Sequence, residues 1–173
     1  MAEAGAVAPM SRLSFAQERL WFIDKLADDK ALYNASMRFA LEGGLDRDVL
    51  ERSLREVVRR HEVLRTGFAA EDGAPMVVPE SFFELTFRDL RDAPAPRESM
   101  RRDQGSIASR PFDLRNPPLL RAVLYRLGNE HHELLLTVHH IIFDGASIDI
   151  LLQELEELYA AFREGRPSPL PDL

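Results

Sequence analysis

The segment from Leu119 to Phe162 constrains the fold more than any other. Leu119 to Leu127 and His132 to Val138 are apolar runs of strand length, separated by the turn residues Gly128-Asn129-Glu130. They read as a hairpin. After a short break, Ile148, Leu151, Leu152, Leu155, Leu158, Tyr159 and Phe162 recur at helical spacing, and Gly165 marks the end of the run. Strands and helices with apolar faces must bury them against one another, and this alternation points to an α+β sandwich.

Upstream segments fit the same architecture. Ser14 and Gln17 have capping-box spacing, and Phe15, Ala16, Leu20, Ile23 and Leu26 follow, so a helix is predicted from Ser14 to Lys25. Met37, Phe39 and Leu41 alternate with Arg38, Ala40 and Glu42, the pattern of a strand with one buried face, closed by Gly43-Gly44. Between Asp46 and Arg60, one helical stripe collects Val49, Leu50, Ser53, Leu54, Val57 and Val58. Leu64 to Ala69 and Met76 to Val78 are short strands around an Asp72-Gly73 turn, Leu85-Thr86-Phe87 adds another, and a weaker helix follows Pro94 and Pro96. Arg59, Arg60, Arg101 and Arg102 read as solvated helix faces, with docking of an acidic partner protein as the alternative, Trp21 as packing, and His131-His132 as the start of a strand beside a turn.

Composition narrows the function classes. The 173 residues carry a formal net charge of −7, unlike a protein that binds nucleic acid through a basic face, and no cysteine. Thiolate metal sites, disulfides and cysteine nucleophiles are therefore excluded. No apolar run approaches the roughly 20 residues of a membrane span. Met1 to Pro9 reads as a leader or linker, and the expected location is cytoplasmic.

Chemistry concentrates at the junction between the second hairpin strand and the last helix, where His139, His140 and Asp144 interrupt very apolar sequence. Such groups are costly to bury without partners. Adjacent strand residues point to opposite faces, so His139 and His140 are poorly placed to share a metal ion, and His61, His131 and His132 do not complete a site. Ser147 lacks a nucleophile elbow and sits where a helix N-cap is expected. Two accounts of the junction remain open on the residues alone. One histidine acts as a general acid–base or electrostatic catalyst, for which its ordinary pKa of about 6.5 suits it. Otherwise both histidines are satisfied structural groups beside a turn-forming Asp144-Gly145 pair.

The run Val138-His139-His140-Ile141-Ile142-Phe143-Asp144-Gly145 resembles the H-H-x-x-x-D-G signature of nonribosomal peptide synthetase condensation domains, members of the chloramphenicol-acetyltransferase-like superfamily. Ser14 to Phe22 resembles the family's opening S-x-A-Q-x-R-L-W motif, and Arg60 to Phe68 its R-H-E-x-L-R-T-x-F motif. Tyr33-Asn34 and the stretch from Pro111-Phe112-Asp113-Leu114 to Pro118-Leu119-Leu120-Arg121 are also typical. The resemblance spans most of residues 10–165. It implies an α+β two-layer sandwich: one chloramphenicol-acetyltransferase-like lobe with a mixed sheet flanked by helices.

The same resemblance implies the chemistry and its residues. His140 is expected to face the reaction centre, taking a proton from an acceptor amine or positioning it and stabilising the charged intermediate. His139 is expected to be structural and Gly145 to let backbone approach substrate. Asp144 is expected to form a structural ion pair with Arg65, and breaking such a pair where it is buried would cost several kcal/mol. The reaction implied is amide formation between a carrier-bound amine and a carrier-bound acyl or peptidyl thioester. Donor and acceptor carrier proteins would supply the phosphopantetheine arms, and the chain itself binds no cofactor. Residues 10–166 are expected to form the N-terminal lobe and 167–173 to start a linker to a missing C-terminal lobe, with an adenylation domain nearby. A lone half is expected to fold but to condense nothing efficiently. The paired histidines set the chain apart from cyclisation domains, and the opening motif from epimerisation domains. The alternatives are an acyl-CoA-dependent acyltransferase of the superfamily and a non-catalytic module that recruits a carrier protein or another partner.

Overall fold

The structure, a computed structural model, describes residues 13–79 and 82–173. The leader expected over residues 1–9, and residues 10–12 of the expected lobe, lie outside the described residues. Helix α1 (Phe15–Leu26) begins where the capping box places it, with Ser14 Oγ accepting the Gln17 N–H and Gln17 Oε1 accepting the Ser14 N–H. Strand β1 (Asn34–Glu42) follows, and then helix α2 (Arg47–Arg60), which is capped by Asp46 Oδ1 on the N–H groups of Asp48 and Val49. A 3-10 turn (Glu62–Arg65) leads into the hairpin of β2 (Thr66–Phe68) and β3 (Pro75–Val77). The remaining elements are β4 (Leu85–Asp89), α3 (Pro96–Ala108), β5 (Leu120–Arg126), β6 (His131–His139), a 3-10 turn (His140–Ile142) and α4 (Ser147–Arg163).

The main sheet runs β1-β6-β5-β4 and is mixed: β1, β6 and β5 pair antiparallel, whereas β4 lies parallel to β5. Alternation along the strands sorts the side chains between two faces. Leu120, Ala122, Leu124, Leu134, Leu136 and Val138 join the buried stripe of α2 and Leu151, Leu155, Leu158 and Phe162 of α4 in the principal core. The opposite face carries Val123, Tyr125 and Leu135, which pack with Met100 of α3. The expected sandwich of a mixed sheet flanked by helices is present, with α2 and α4 as its main helical layer and α3 covering part of the back.

Two details depart from the sequence expectations. The apolar residues of α1 do not make a buried stripe: none is fully buried, and Phe15, Phe22 and Leu26 are exposed. The helix is instead fastened through Trp21, whose Nε1 donates to Ala69 O at 3.1 Å and whose ring lies against Gly73. Gly73 has φ +74, and a Cβ there would come within 2.8 Å of the indole, so the turn needs glycine on both counts. Arg60, expected to be solvated, is buried between α2 and α4. It donates to Glu154 Oε2 at 3.2 Å and to Pro171 O at 2.7 Å.

Candidate active site

The junction singled out by its polar residues sits where β6 leaves the sheet. The backbone of β6 runs on to His139, which lies opposite Asn34 of β1 and donates its N–H to Leu119 O. One residue further, the His140 N–H donates to Tyr33 O at 2.9 Å. The chain then tightens into the 3-10 turn at His140–Ile142, and a short loop carries Asp144 and Gly145 to the start of α4.

The two histidines have opposite environments. His139 is 1% exposed, edge-on to the Phe112 ring and tilted against Tyr33. Its Nδ1 accepts the Ile141 N–H at 3.2 Å. Acceptance at Nδ1 places the ring proton on Nε2, which is buried and finds no partner among the described residues. Burial, with a smaller contribution from the neighbouring His140, pushes the His139 pKa down to about 4. The ring is therefore neutral near pH 7. His140 is exposed, and its Nδ1 lies 3.3 Å from Phe143 O. A carbonyl can only accept, so this bond puts a proton on Nδ1, and in the neutral ring the lone pair is then on Nε2.

Gly145 is exposed on the same loop, and a Cβ there would meet nothing within 4 Å. The fold itself therefore makes no steric demand for glycine at this position. The expected ion pair between Asp144 and Arg65 is not formed. Asp144 is exposed, and its Oδ1 accepts both the Ser147 N–H at 3.0 Å and the Ser147 hydroxyl at 2.6 Å. These bonds hold its carboxyl below the usual carboxylate range. Ser147 is thus the first residue of α4, tied back to the Asp144 carboxylate, while Ala146, which offers no side-chain cap, takes the N-cap position expected of Ser147. Arg65 faces elsewhere, donating to the carbonyls of Arg59, Val78 and Pro79 at 3.1, 2.6 and 3.1 Å. Backbone carbonyls at the end of α2 and just past β3 thus take three of its five guanidinium N–H donors.

Other contacts tie the junction to distant sequence. The Gln17 side-chain amide donates to Ile141 O at 3.2 Å, linking α1 to the turn that carries His140. On α4, Glu154 Oε2 receives both Arg60 Nε and His61 Nε2, the latter at 2.9 Å. Burial raises the Glu154 pKa, but the hydrogen bonds from Arg60 and His61 outweigh it and the net shift is downward. The capping box reveals only half of Gln17, and nothing local marks Glu154, because both partnerships cross many residues of sequence. Among the described residues, no group of three or more His, Asp and Glu side chains is arranged to hold a metal ion, and no helix is long and apolar enough to cross a membrane.

Comparison with known proteins bears on this arrangement. A family model described as the Condensation domain matches residues 7–173. One component of the linear gramicidin synthase of Brevibacillus parabrevis is 45% identical over 165 residues, which cover 93% of this chain and 3% of that protein. Chondramide synthase cmdD of Chondromyces crocatus is 42% identical over 170 residues, covering 96% of the chain and 4% of the synthase. Among solved structures, the first condensation domain of the calcium-dependent antibiotic synthetase, in complex with a substrate analogue, superposes with a TM-score of 0.83 at 31% identity. That match covers 92% of this chain and 39% of the other. The starter condensation domain of rhizomide synthetase RzmA gives a TM-score of 0.84 at 25% identity, over 93% of this chain and 41% of that one. The chain therefore spans about two fifths of the solved domains it matches and a few per cent of the curated synthetases.

Proposed function

The chain belongs to the condensation-domain family, and from that premise we propose that it supplies the catalytic face of an amide-forming condensation domain in nonribosomal peptide synthesis. Residues 10–166 form one lobe, residues 167–173 begin the connection to a second lobe, and the substrates meet between the two. Both substrates arrive as thioesters on the phosphopantetheine arms of carrier proteins, a donor bearing an acyl or peptidyl group and an acceptor bearing an aminoacyl group. An adenylation domain in the same assembly loads the acceptor.

The observation that carries this reading is the Nε2 of His140, presented at the exposed start of the 3-10 turn by a ring whose other nitrogen is bonded to Phe143 O. The acceptor amine nitrogen attacks the donor thioester carbonyl carbon. Nε2 of His140 accepts the proton released from the amine, and the C–S bond then breaks. The sulfur leaves as a thiolate, which the imidazolium reprotonates. His139 remains neutral and holds the Ile141 amide, and Gly145 leaves room beside the reacting atoms. No acyl-enzyme is needed, in keeping with a chain that has no cysteine. Proton transfer of this kind contributes about 10²–10⁴-fold, and the remaining acceleration comes from holding two tethered substrates together.

The test is single-turnover amide formation between loaded donor and acceptor carriers, in the full synthetase module containing this chain. His140→Ala is expected to lower the rate by about 10²–10⁴-fold with folding intact. An unchanged rate overturns the assignment of His140. Equal turnover with an acyl-CoA and a free amine, without carriers, replaces this reading with an acyl-CoA-dependent acyltransferase of the same superfamily. Carrier binding without any product in the wild-type module replaces it with a recruitment module.

A further inference from the structure

We propose that Gln17 is a positioning residue for His140, setting the imidazole through the Ile141 carbonyl. This inference rests on the catalytic reading of His140. The Gln17 amide is committed at both ends: its Oε1 accepts the Ser14 N–H at 3.1 Å and its Nε2 donates to Ile141 O at 3.2 Å. A flipped amide would oppose two donors at one end and two acceptors at the other, so the side chain has one orientation. Ile141 lies at the centre of the 3-10 turn, and side chains hold both of its backbone groups: His139 Nδ1 takes its N–H and Gln17 takes its C=O. With His140 N bonded to Tyr33 O, the three successive peptides from His139 to Ile142 are each held, the first two flanking the imidazole and the third one residue beyond it.

Gln17 supplies the one of these three contacts that comes from α1. That helix buries none of its residues fully and meets the core only through partly buried side chains such as Leu20 and Trp21, and the Gln17 amide is its polar link to the turn. Its other fastenings, from Trp21 to Ala69 and Lys25 to Glu71, lie at the β2–β3 hairpin, away from His140. Loss of the Gln17 donor frees the Ile141–Ile142 peptide to rotate. The short 3-10 turn then loses the geometry that keeps His140 Nδ1 on Phe143 O. Nε2 would no longer be held as the free base, and the ring would move relative to the substrates.

Two variants in the full module separate positioning from support of the helix. Gln17→Glu keeps an acceptor for the Ser14 N–H but removes the donor to Ile141 O. Ser14→Ala removes the hydroxyl of the capping box but keeps the Gln17 amide and its backbone partner. Gln17→Glu is expected to lower the single-turnover rate about 10- to 100-fold with the KM for acceptor carrier unchanged, the penalty of a misplaced reacting group. It should also shift the His140 ring ¹⁵N signals away from the Nδ1–H tautomer. Ser14→Ala is expected to keep the wild-type rate and tautomer. Equal losses in both variants, or a Gln17→Glu protein with wild-type rate and tautomer, overturn the proposal. The ring signals report the tether independently of catalysis: a tautomer shift in Gln17→Glu alongside a fully active His140→Ala protein sinks the catalytic reading and leaves the tether standing.

Discussion

Acidification provides a direct test of the site, because His139 is buried as a neutral ring. Its folded pKa of about 4 lies below the ordinary 6.5, so the unfolded chain binds the proton more readily than the folded one. The stability this contributes is fully present above pH 6.5 and is lost as the pH falls through the folded pKa. With one pKa unit equal to about 1.4 kcal/mol, integrating the two titrations gives a loss of about 2 kcal/mol between pH 7.5 and 5, and about 3 kcal/mol by pH 4. The assay is urea denaturation followed by far-UV circular dichroism across this range, repeated on His139→Asn. Asparagine keeps an acceptor in place of Nδ1 for the Ile141 N–H and removes the titration. Carboxylates titrate in both proteins, so the difference between the two pH slopes isolates His139. Parallel slopes, or a His139 ring that titrates near 6.5 by NMR, would refute the argument.

Two further outcomes follow from the polar contacts. The Arg60 side chain is 3% exposed and lies 3.2 Å from Glu154, so Glu154→Ala leaves a buried guanidinium short of its counter-charge and should cost about 3–5 kcal/mol in urea denaturation. The paired change Arg60→Met with Glu154→Leu should recover most of that loss. Asp144 and Arg65 have separate partners, so Asp144→Ala and Arg65→Ala should act additively in a double-mutant cycle, whereas a direct ion pair would give a clear coupling term.

Local periodicity makes most of the fold legible. The Ser14–Gln17 capping box, the stripe from Val49 to Val58, the Gly128-Asn129-Glu130 hairpin and the apolar run of α4 all lie close to where spacing puts them, because neighbours in sequence supply their partners. The parallel pairing of β4 with β5 is not legible, since a helix and a loop separate them and nothing in Leu85-Thr86-Phe87 states a direction. At the site, alternation implies that His139 and His140 face different ways, and the structure gives one burial and the other exposure. The partner of Arg65 escapes a sequence reading because an arginine near an aspartate in motif order suggests an ion pair. Carbonyls bunched at a chain reversal are equally good acceptors, and they leave no trace in composition. Arg60 reads as a surface residue because its buried partner, Glu154, sits on a helix that the chain has yet to reach.

The strand order has a consequence for how the protein comes to be folded. In the strand order β1-β6-β5-β4, among the described residues, the first strand of the main sheet to leave the ribosome pairs only with the last. Until His131–His139 has been made, β1 has no ladder to join, and the apolar side chains along it wait uncovered. Closing so long a loop before any pairing is gained slows folding and prolongs the time during which a bare strand can pair with a wrong neighbour. The same closing event brings His139 opposite Asn34 and Ile141 within reach of Gln17. The residues of the site therefore cannot assemble until β6 has been made, and a chain arrested before it would lack the strand that joins β1 to β5.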